Sequence, residues 1–531
     1  MRGTWFYGGR SPLGDRQEQS VSVYCENGII RAVGTDEELG LLLAGKAPER
    51  VNLDGGYVLP GLADCHMHLS MQGMKLAALD FSGAASKDEM LRLLRERAER
   101  TPPGEWILGL NWNENAFYPP VAPTRDELDG ITDRHPVLLT RVCYHSWLAN
   151  TEAYRRAGVE ENAADFPSGT YGRDREGRLN GRIYEDAGLP FQQAVPKPDY
   201  GEKKACIRRA AEYALSLGLT AAHTDDLRYL DDLDTLLRIH RELREEGVLL
   251  RTHQLVYHPH LPEASALGLR GGSGDEWLRL GGAKVFADGV LGGRTAWLSE
   301  PYGDEPGNCG FPIHTREAFA AIVREARQAG FPVAVHAIGD AAADLVLAEL
   351  ERQPLSEVAG LPDRLIHVPV LREAQLARMS RLRLAADIQP PFVAADYPWV
   401  RERLGQRDVH RYAWRTLLSA GIPCGGSSDA PIEPLSPLYG LYTAVTRRKP
   451  GETHGGYEPG EKISLAEAVR LYTYGSAQTA GEERERGLLA PGYAADLTVV
   501  DRPFAEDPEE WLHMKVRRTI VNGRLAYSGE G

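Results

Sequence analysis

Two histidines separated by one residue, His66 and His68, have the spacing that most directly suggests chemistry. They follow an apolar run, residues 57–63, that is typical of a β-strand. On an extended segment residues i and i+2 point to the same side, so both imidazoles can reach one cation. Neutral imidazole is a preferred ligand of zinc and related metals. The pair predicts a metal site; a strand end with two solvent-facing polar residues is the alternative interpretation.

Further candidate ligands stand at the ends of other apolar, strand-like segments of the chain. Lys284, His336 and His367 each lie at or near such an end, and Asp429 closely follows another. A single buried histidine is usually a core residue, but four histidines and a carboxylate in matching positions favour a shared site. The predicted metal ligands are therefore His66, His68, Lys284, His336, His367 and Asp429.

Lys284 is unusual because it is the only lysine between Lys204 and Lys449, a stretch that otherwise uses arginine. A desolvated lysine can lose its proton, whereas arginine cannot. The neutral amine could then take up carbon dioxide and become a carbamate, which bridges two cations as a carboxylate does. The alternatives are chance, or an ion pair with Asp288 or Asp340.

These residues need a scaffold that brings strand ends together. The candidate strands are residues 58–64, 218–224, 249–257, 279–287, 331–337, 364–368, 383–389 and 422–427. Amphipathic segments separate most of them, and such alternation is typical of a parallel sheet. Eight strands indicate an α/β fold of the (β/α)8, TIM-like barrel type. An open doubly wound sheet is the competing architecture, but no GxGxxG follows any of these strands.

The domain organisation follows from the position of the strand-rich segments. Residues 1–57 and 485–531 are predicted to form one small composite β-sandwich domain, although two unrelated β-flaps would give a similar pattern. Residues 58–484 form the barrel. Residues 75–200 are too long for one crossover helix, so they are predicted to be an inserted α+β subdomain after barrel strand 1, over the active-site mouth.

Composition narrows the classes of partner and compartment. The formal net charge of −14 over 531 residues argues against nucleic acid or an anionic membrane as partner. No apolar run approaches the ~18–20 residues that span a bilayer, and the N-terminus lacks an export signal. Six scattered cysteines without a CxxC pair are typical of a reduced protein, and we expect a cytoplasmic location.

The chain resembles the amidohydrolase superfamily, and within it the family 3 branch that includes N-substituted formamide deformylase. The resemblance covers nearly the whole chain, from about residue 57 to residue 501, in family order. The matching motifs are LPGLADCHMH, GLNWNEN, HSWLANTEA, AKVFADGVLGGRTAWL, HAIGDAA, IQPPFVAADYPWVRERLG, GGSSDAP, AVTRR and GLLAPGYAADLTVVD.

The resemblance implies a division of the ligands between metal ions. His66 and His68 would bind one divalent metal together with Asp429, and His336 and His367 would bind a second. Carboxylated Lys284 would be the bridge between them. Zinc is the expected metal, as one ion or two, because some superfamily members work with one. Residues 366–369 depart from the branch's Glu-His-Ala pattern, so the residues that support His367 are expected to differ.

The resemblance implies that the protein hydrolyses a C–N bond other than a peptide bond. The substrate would be an N-formyl or N-acyl compound, and the attacking group would be a metal-activated hydroxide. Asp429 is the predicted catalytic residue, which takes a proton from water and delivers it to the leaving nitrogen. The predicted substrate-binding residues are Arg294, Trp112, Asn113 and His145, with an ordinary loop turn or core packing as the alternative.

Two other functions stay open at this point. A lactonase or esterase could use the same metal site, and a binding or regulatory protein could retain the scaffold without turnover. The complete ligand set argues against the non-catalytic alternative. The expected partner is a small-molecule amide substrate. The protein could be a monomer or a homodimer.

Overall fold

The computed structural model describes residues 3–13, 19–143, 145–355 and 360–529. The chain divides into two compact units, one made of Met1–Met71 with Ile207–Gly531 and the other of Gln72–Cys206. In the described part of the chain, no helix is both long enough and apolar enough to cross a membrane.

The strands are, in chain order, β1 (Thr4–Arg10), β2 (Ser20–Glu26), β3 (Ile29–Gly34), β4 (Glu49–Asn52), β5 (Tyr57–Pro60), β6 (Leu62–Met67), β7 (Leu79–Asp80), β8 (Ile107–Trp112), β9 (Val137–Arg141), β10 (Ser146–Ala149), β11 (Gly169–Arg173), β12 (Leu179–Glu185), β13 (Leu219–Thr224), β14 (Arg251–Tyr257), β15 (Leu278–Phe286), β16 (Val333–Ala337), β17 (Asp363–His367), β18 (Val370–Leu371), β19 (Leu384–Ile388), β20 (His410–Arg411), β21 (Cys424–Gly426), β22 (Leu497–Val500), β23 (Val516–Val521) and β24 (Arg524–Ser528).

The α-helices are α1 (Asp36–Leu42), α2 (Leu69–Ala77), α3 (Lys87–Arg100), α4 (Arg125–Asp129), α5 (Thr151–Ala157), α6 (Leu189–Ala194), α7 (Tyr200–Ser216), α8 (Leu233–Glu245), α9 (Leu261–Ala266), α10 (Arg316–Gln328), α11 (Asp340–Arg352), α12 (Glu373–Met379), α13 (Pro390–Asp396), α14 (Trp399–Leu404), α15 (Trp414–Ser419), α16 (Pro437–Thr446), α17 (Leu465–Arg470) and α18 (Ser476–Thr479).

The larger unit contains an eight-stranded parallel sheet in the order β21-β19-β17-β16-β15-β14-β13-β6. Its two ends meet just beyond the strands, where the Asp429 amide donates to the His66 carbonyl (2.9 Å) and the His68 amide donates to the Ala430 carbonyl (2.8 Å). The sheet is therefore a nearly closed barrel, and the predicted α/β barrel fold is confirmed. Strands β13, β16, β17 and β19 are buried along their whole length, as expected when both faces of a sheet are covered.

The helices between the strands follow from apolar residues at three- and four-residue spacing. Helix α10 buries Phe319, Val323 and Ala326, which lie on one face of the helix. It begins after Thr315, whose side chain accepts a hydrogen bond from the Ala318 amide and so satisfies one of the free donors of the first turn.

The first barrel strand differs from the predicted residues 58–64. Residues 57–60 form β5, which pairs with β22 outside the barrel, and the barrel strand β6 begins at Leu62. Gly61 lies between them, and a Cβ at this position would approach Thr220 Oγ1 to 2.4 Å and Asp496 Cβ to 2.8 Å. The continuous apolar run hides this change of sheet, because both strands are buried.

Strands from the two ends of the chain form a second sheet of the same unit, in the order β24-β23-β22-β5-β1-β2-β3, with β4 beside β1. A hairpin turn at Asn522-Gly523 joins β23 and β24, with φ of 54° and 70°. The sandwich form of this domain and the limits 1–57, 485–531 and 58–484 stay predictions.

The smaller unit has its own sheet, in the order β11-β12-β10-β9-β8-β7, and its own hydrophobic clusters. One cluster packs Met90 and Leu94 of α3 against Ile107 and Trp112 of β8. The mixture of helices and strands has the α+β character expected of an insertion. The limits 75–200 and the place of this segment over the barrel mouth stay predictions.

Candidate metal and active site

All six side chains predicted as metal ligands are buried and line one cavity of about 400 Å³ in the larger unit. They come from five barrel strands or the residues directly after them. Because the strands are parallel, their carboxyl ends meet at one end of the barrel. The barrel therefore brings together residues 66 and 429, which are separated by most of the chain.

Within the described residues, one group of side chains has the spacing of metal ligands. Ligand atoms of His66, His68 and Asp429 all lie within 4.8 Å of one another. Asp429 Oδ1 is 3.0 Å from His68 Nε2 and 3.5 Å from His66 Nε2. Two imidazoles and one carboxylate are a donor set that suits zinc and similar divalent ions.

A buried carboxylate, Asp64, holds the two segments of this group in register. Its oxygens accept hydrogen bonds from the His66 amide (3.0 Å) and from the amide and hydroxyl of Ser428 (3.0 and 2.6 Å). Burial raises the pKa of Asp64 to about 7, although these hydrogen bonds oppose the shift. Asp429 adopts a left-handed backbone conformation, with φ of 58°, immediately after this anchor.

Lys284 is fully buried beside this group, and its Nζ lies 3.1 Å from His66 Nε2 and 3.9 Å from Asp225 Oδ2. Burial lowers the pKa of Lys284, while the neighbouring carboxylates oppose the shift. A lowered pKa makes the neutral amine more accessible, and the neutral amine is the form that reacts with carbon dioxide. Carboxylation itself stays a prediction.

The rings of His336 and His367 lie next to each other in the same cavity, with ring centres 4.6 Å apart. His336 Nε2 is 3.0 Å from the Gly289 carbonyl, and His367 Nδ1 is 2.9 Å from Gln389 Oε1, so these nitrogens donate and the opposite ones can bind a metal. Burial lowers the pKa of both histidines to about 3, which keeps them neutral. The sequence at residues 366–369 predicted that His367 has an unusual supporting residue. Gln389 is the residue that supports it.

Asp225 belongs to the site but was missed by the sequence analysis. It follows β13 directly, is fully buried, and forms an ion pair with His68 Nδ1. Burial would raise the pKa of Asp225, but His68 and Lys284 bring it below its usual value. The rule that selected the other ligands, a polar residue at the end of a strand, would also have selected this one.

Asp225 and Asp429 determine the protonation of His68. Burial would lower the pKa of His68, but the two carboxylates raise it to about 10. A metal ion at His68 Nε2 would therefore displace a proton, while Nδ1 would stay paired with Asp225. This arrangement fixes the tautomer in which Nε2 points to the metal position.

Arg294, predicted to contact substrate, has a different partner. Its guanidinium donates to the Asp304 carboxylate at 2.6 and 3.3 Å, and Arg294 is not among the residues that line the cavity. Asp304 lies ten residues further along the same connection, a pairing that no local pattern reveals. The geometry does not favour the substrate-binding role, which stays a prediction.

The other three predicted substrate residues lie in the smaller unit. Trp112 is 1% exposed, and its Nε1 donates to the Leu139 carbonyl, as a core residue does. The Asn113 side chain accepts from the Asn115 amide, and exposed His145 pairs with Glu185 at 3.0 Å. Residues 112 and 145 both line a cavity of about 320 Å³ within this unit, and all three roles stay predictions.

Comparisons with known proteins extend over nearly the whole chain. A profile of the amidohydrolase family matches residues 49–527. YtcJ of Bacillus subtilis (strain 168) is 37% identical over 531 residues, 99% of each chain. An N-substituted formamide deformylase of Arthrobacter pascens is 26% identical, covering 97% of this chain and 96% of its own. The crystal structure of an uncharacterized metal-dependent hydrolase from Pyrococcus horikoshii OT3 has a TM-score of 0.76 at 29% identity, covering 96% of this chain and 99% of that one.

The contact between His68 and Asp225 can be tested without a substrate. We expect Asp225→Asn to weaken zinc binding by about 10- to 100-fold. The neutral amide would hold the His68 imidazole less firmly and would make its Nε2 a weaker ligand of zinc. Zinc affinity is measured by competition with a chromogenic chelator. Asp275→Asn, in an exposed ion pair with Arg244, is the control and should bind zinc as the parent does. Equal zinc affinity of Asp225→Asn and the parent would remove this role from Asp225.

Proposed function

Since this chain belongs to the amidohydrolase family, we propose that it hydrolyses the C–N bond of an N-formyl or N-acyl compound with a bound divalent metal. Family membership confirms the resemblance predicted from the motifs, and the protein is a hydrolase. The observation that carries the proposal is the group formed by His66, His68 and Asp429 inside the cavity. The deformylase relative supports the choice of bond.

The chain provides enough donors for one or two ions, and zinc is the metal we propose. His66 and His68 would hold the first ion with Asp429, and His336 and His367 would hold the second. Lys284, as a carbamate, would lie between the two ions. The Nζ of the unmodified lysine is 3.1 Å from His66 Nε2. A divalent cation in this position lowers the pKa of water and polarises a carbonyl oxygen.

In the proposed reaction, Asp429 moves the proton from water to the leaving group. Asp429 is 8% exposed and lines the cavity, so its carboxylate can accept a proton from water as the water oxygen attacks the carbonyl carbon. Asp429 then delivers this proton to the leaving nitrogen as the C–N bond breaks. Phe286, Phe392 and Trp399 line the same cavity and present apolar surface to the acyl or amine substituent.

The proposed bond specificity is tested with a panel of matched substrates. We expect the zinc-loaded protein to release amine from N-formylbenzylamine or N-acetylbenzylamine faster than it opens γ-butyrolactone or cleaves benzyl acetate. Product formation is followed by chromatography, and removal of zinc with dipicolinate should abolish turnover, with recovery on re-addition. Preferred cleavage of the lactone or ester would favour the alternative enzyme. Full zinc occupancy without turnover of any compound would favour a non-catalytic protein.

If Asp429 transfers the proton, Asp429→Asn should reduce turnover much more than it reduces metal binding. The amide oxygen can still approach the metal position, but the amide cannot carry the proton. We expect kcat to fall by about 10²- to 10⁴-fold while most of the zinc is retained. Steady-state kinetics and elemental analysis measure the two quantities on the same preparation. An unchanged kcat would show that another group moves the proton.

The proposed carbamate makes Lys284 necessary for both metal and activity. We expect Lys284→Ala to lose most of its activity and part of its zinc, because a bridging ligand is removed. The parent prepared with ¹³C-bicarbonate and zinc should show a carbamate carbon resonance that the variant lacks. Zinc content and activity equal to the parent's would exclude a carbamate at this position.

A further inference from the structure

Arg228 is a charged residue of the cavity that the proposed chemistry does not use. It ends the short 3₁₀ turn Asp226–Arg228 directly after barrel strand β13, and its side chain is exposed. It lines the same cavity as the six candidate ligands. The turn therefore places a permanent positive charge on the wall of the cavity, next to the candidate metal site.

The guanidinium of Arg228 has no acidic partner in the part of the chain that the structure describes. No Asp or Glu oxygen there lies within the 4.0 Å of an ion pair. Its Cζ instead lies 4.7 Å from the ring centre of Phe286, 5.7 Å from that of Tyr257 and 5.9 Å from that of Tyr229. An aromatic ring contacts the flat face of a guanidinium. The N–H groups point outward in the plane of the guanidinium, so they remain available for hydrogen bonds.

Arg294 provides a comparison on the same end of the barrel. That arginine is bound by two oxygens of Asp304, so its charge is already neutralised. The cavity also contains Asp396 and Glu433 besides Asp429, but neither forms an ion pair with Arg228. Asp396 accepts a hydrogen bond from the Tyr412 hydroxyl. Within the described residues, no carboxylate therefore forms an ion pair with Arg228, and its N–H donors are available to an anionic group of a ligand.

Arg228 and the candidate metal site both border Phe286. The centre of its ring is 4.7 Å from Arg228 Cζ and 4.9 Å from Lys284 Nζ. Lys284 Nζ is in turn 3.1 Å from His66. A substrate whose amide carbon lies at the histidines can therefore extend a second group a few bonds away to the guanidinium.

We propose that Arg228 binds a carboxylate of the substrate, which makes the substrate an N-acyl or N-formyl amino acid or a close analogue. This proposal rests on the proposed amide hydrolysis. A carboxylate is planar and accepts two parallel N–H bonds from a guanidinium, a pairing that is stronger and more directional than a contact with a neutral group. The apolar wall that contains Phe392, Trp399 and Ile432 would receive the side chain of the amino acid.

The test compares two amides that differ by the carboxylate alone, racemic N-acetylphenylalanine and N-acetylphenethylamine. We expect the zinc-loaded parent to prefer the acid in kcat/KM by about 10- to 100-fold, the size of one charge-assisted bidentate contact. Arg228→Ala should bring this ratio close to one, mainly through KM. Arg228→Lys, which keeps the charge without the planar fork, should give an intermediate ratio.

Arg316→Ala is the matched control, because Arg316 is exposed at the first residue of helix α10 and does not line this cavity. It should retain the ratio of the parent. Equal use of both amides by the parent, or an unchanged ratio in Arg228→Ala, would overturn the role of Arg228.

A binding experiment can distinguish a failure of the proposed amide hydrolysis from a failure of the proposed carboxylate site at Arg228. If neither amide is cleaved, both compounds are titrated calorimetrically into the zinc-loaded parent and into Arg228→Ala. Tighter binding of the acid to the parent, lost in the variant, would support the carboxylate site although amide hydrolysis had failed. Equal binding of the acid to both proteins would contradict the site.

Discussion

The backbone bonds that close the barrel also hold the candidate site together, and the other features of the site depend on them. The Asp429 amide binds the His66 carbonyl, and the His68 amide binds the Ala430 carbonyl. Asp64 adds side-chain contacts between the same two segments. The first and last barrel strands are thus joined at the point where two histidines and a carboxylate approach within 4.8 Å. A change that opened this seam would disperse the ligands even if every strand remained intact.

Burial determines the chemical state of the groups that this closure brings together. Removal from water lowers the pKa of His336 and His367 to about 3 and also lowers the pKa of Lys284, because each charged form is poorly solvated. His68 is the exception, since Asp225 and Asp429 raise its pKa to about 10. The site therefore combines neutral imidazoles with one histidine that is oriented by a carboxylate. A divalent cation can bind the neutral imidazoles directly, and at His68 it would displace a proton.

The sequence predicted much of this arrangement because polar residues at strand ends are a local pattern. The six candidate ligands were selected by that pattern, and the structure brings them into one cavity. Asp225 obeys the same rule, because it directly follows β13, but it was not among the predicted ligands. The start of the first barrel strand was placed too early, because a buried strand of either sheet gives the same apolar run on both sides of Gly61. Arg294 was given a role that its pairing with Asp304 does not favour.

The sequence by itself determined the barrel architecture and the family, because periodicity and motif spacing are properties of neighbouring residues. Only the tertiary structure decided which partner each charged side chain meets. Arg228 and Arg294 both follow barrel strands and look equivalent in the sequence, yet one contacts aromatic rings in the cavity and the other binds Asp304. Such pairings depend on the register of adjacent strands and the direction of each connection, which place residues far apart in the chain within a few ångströms of each other.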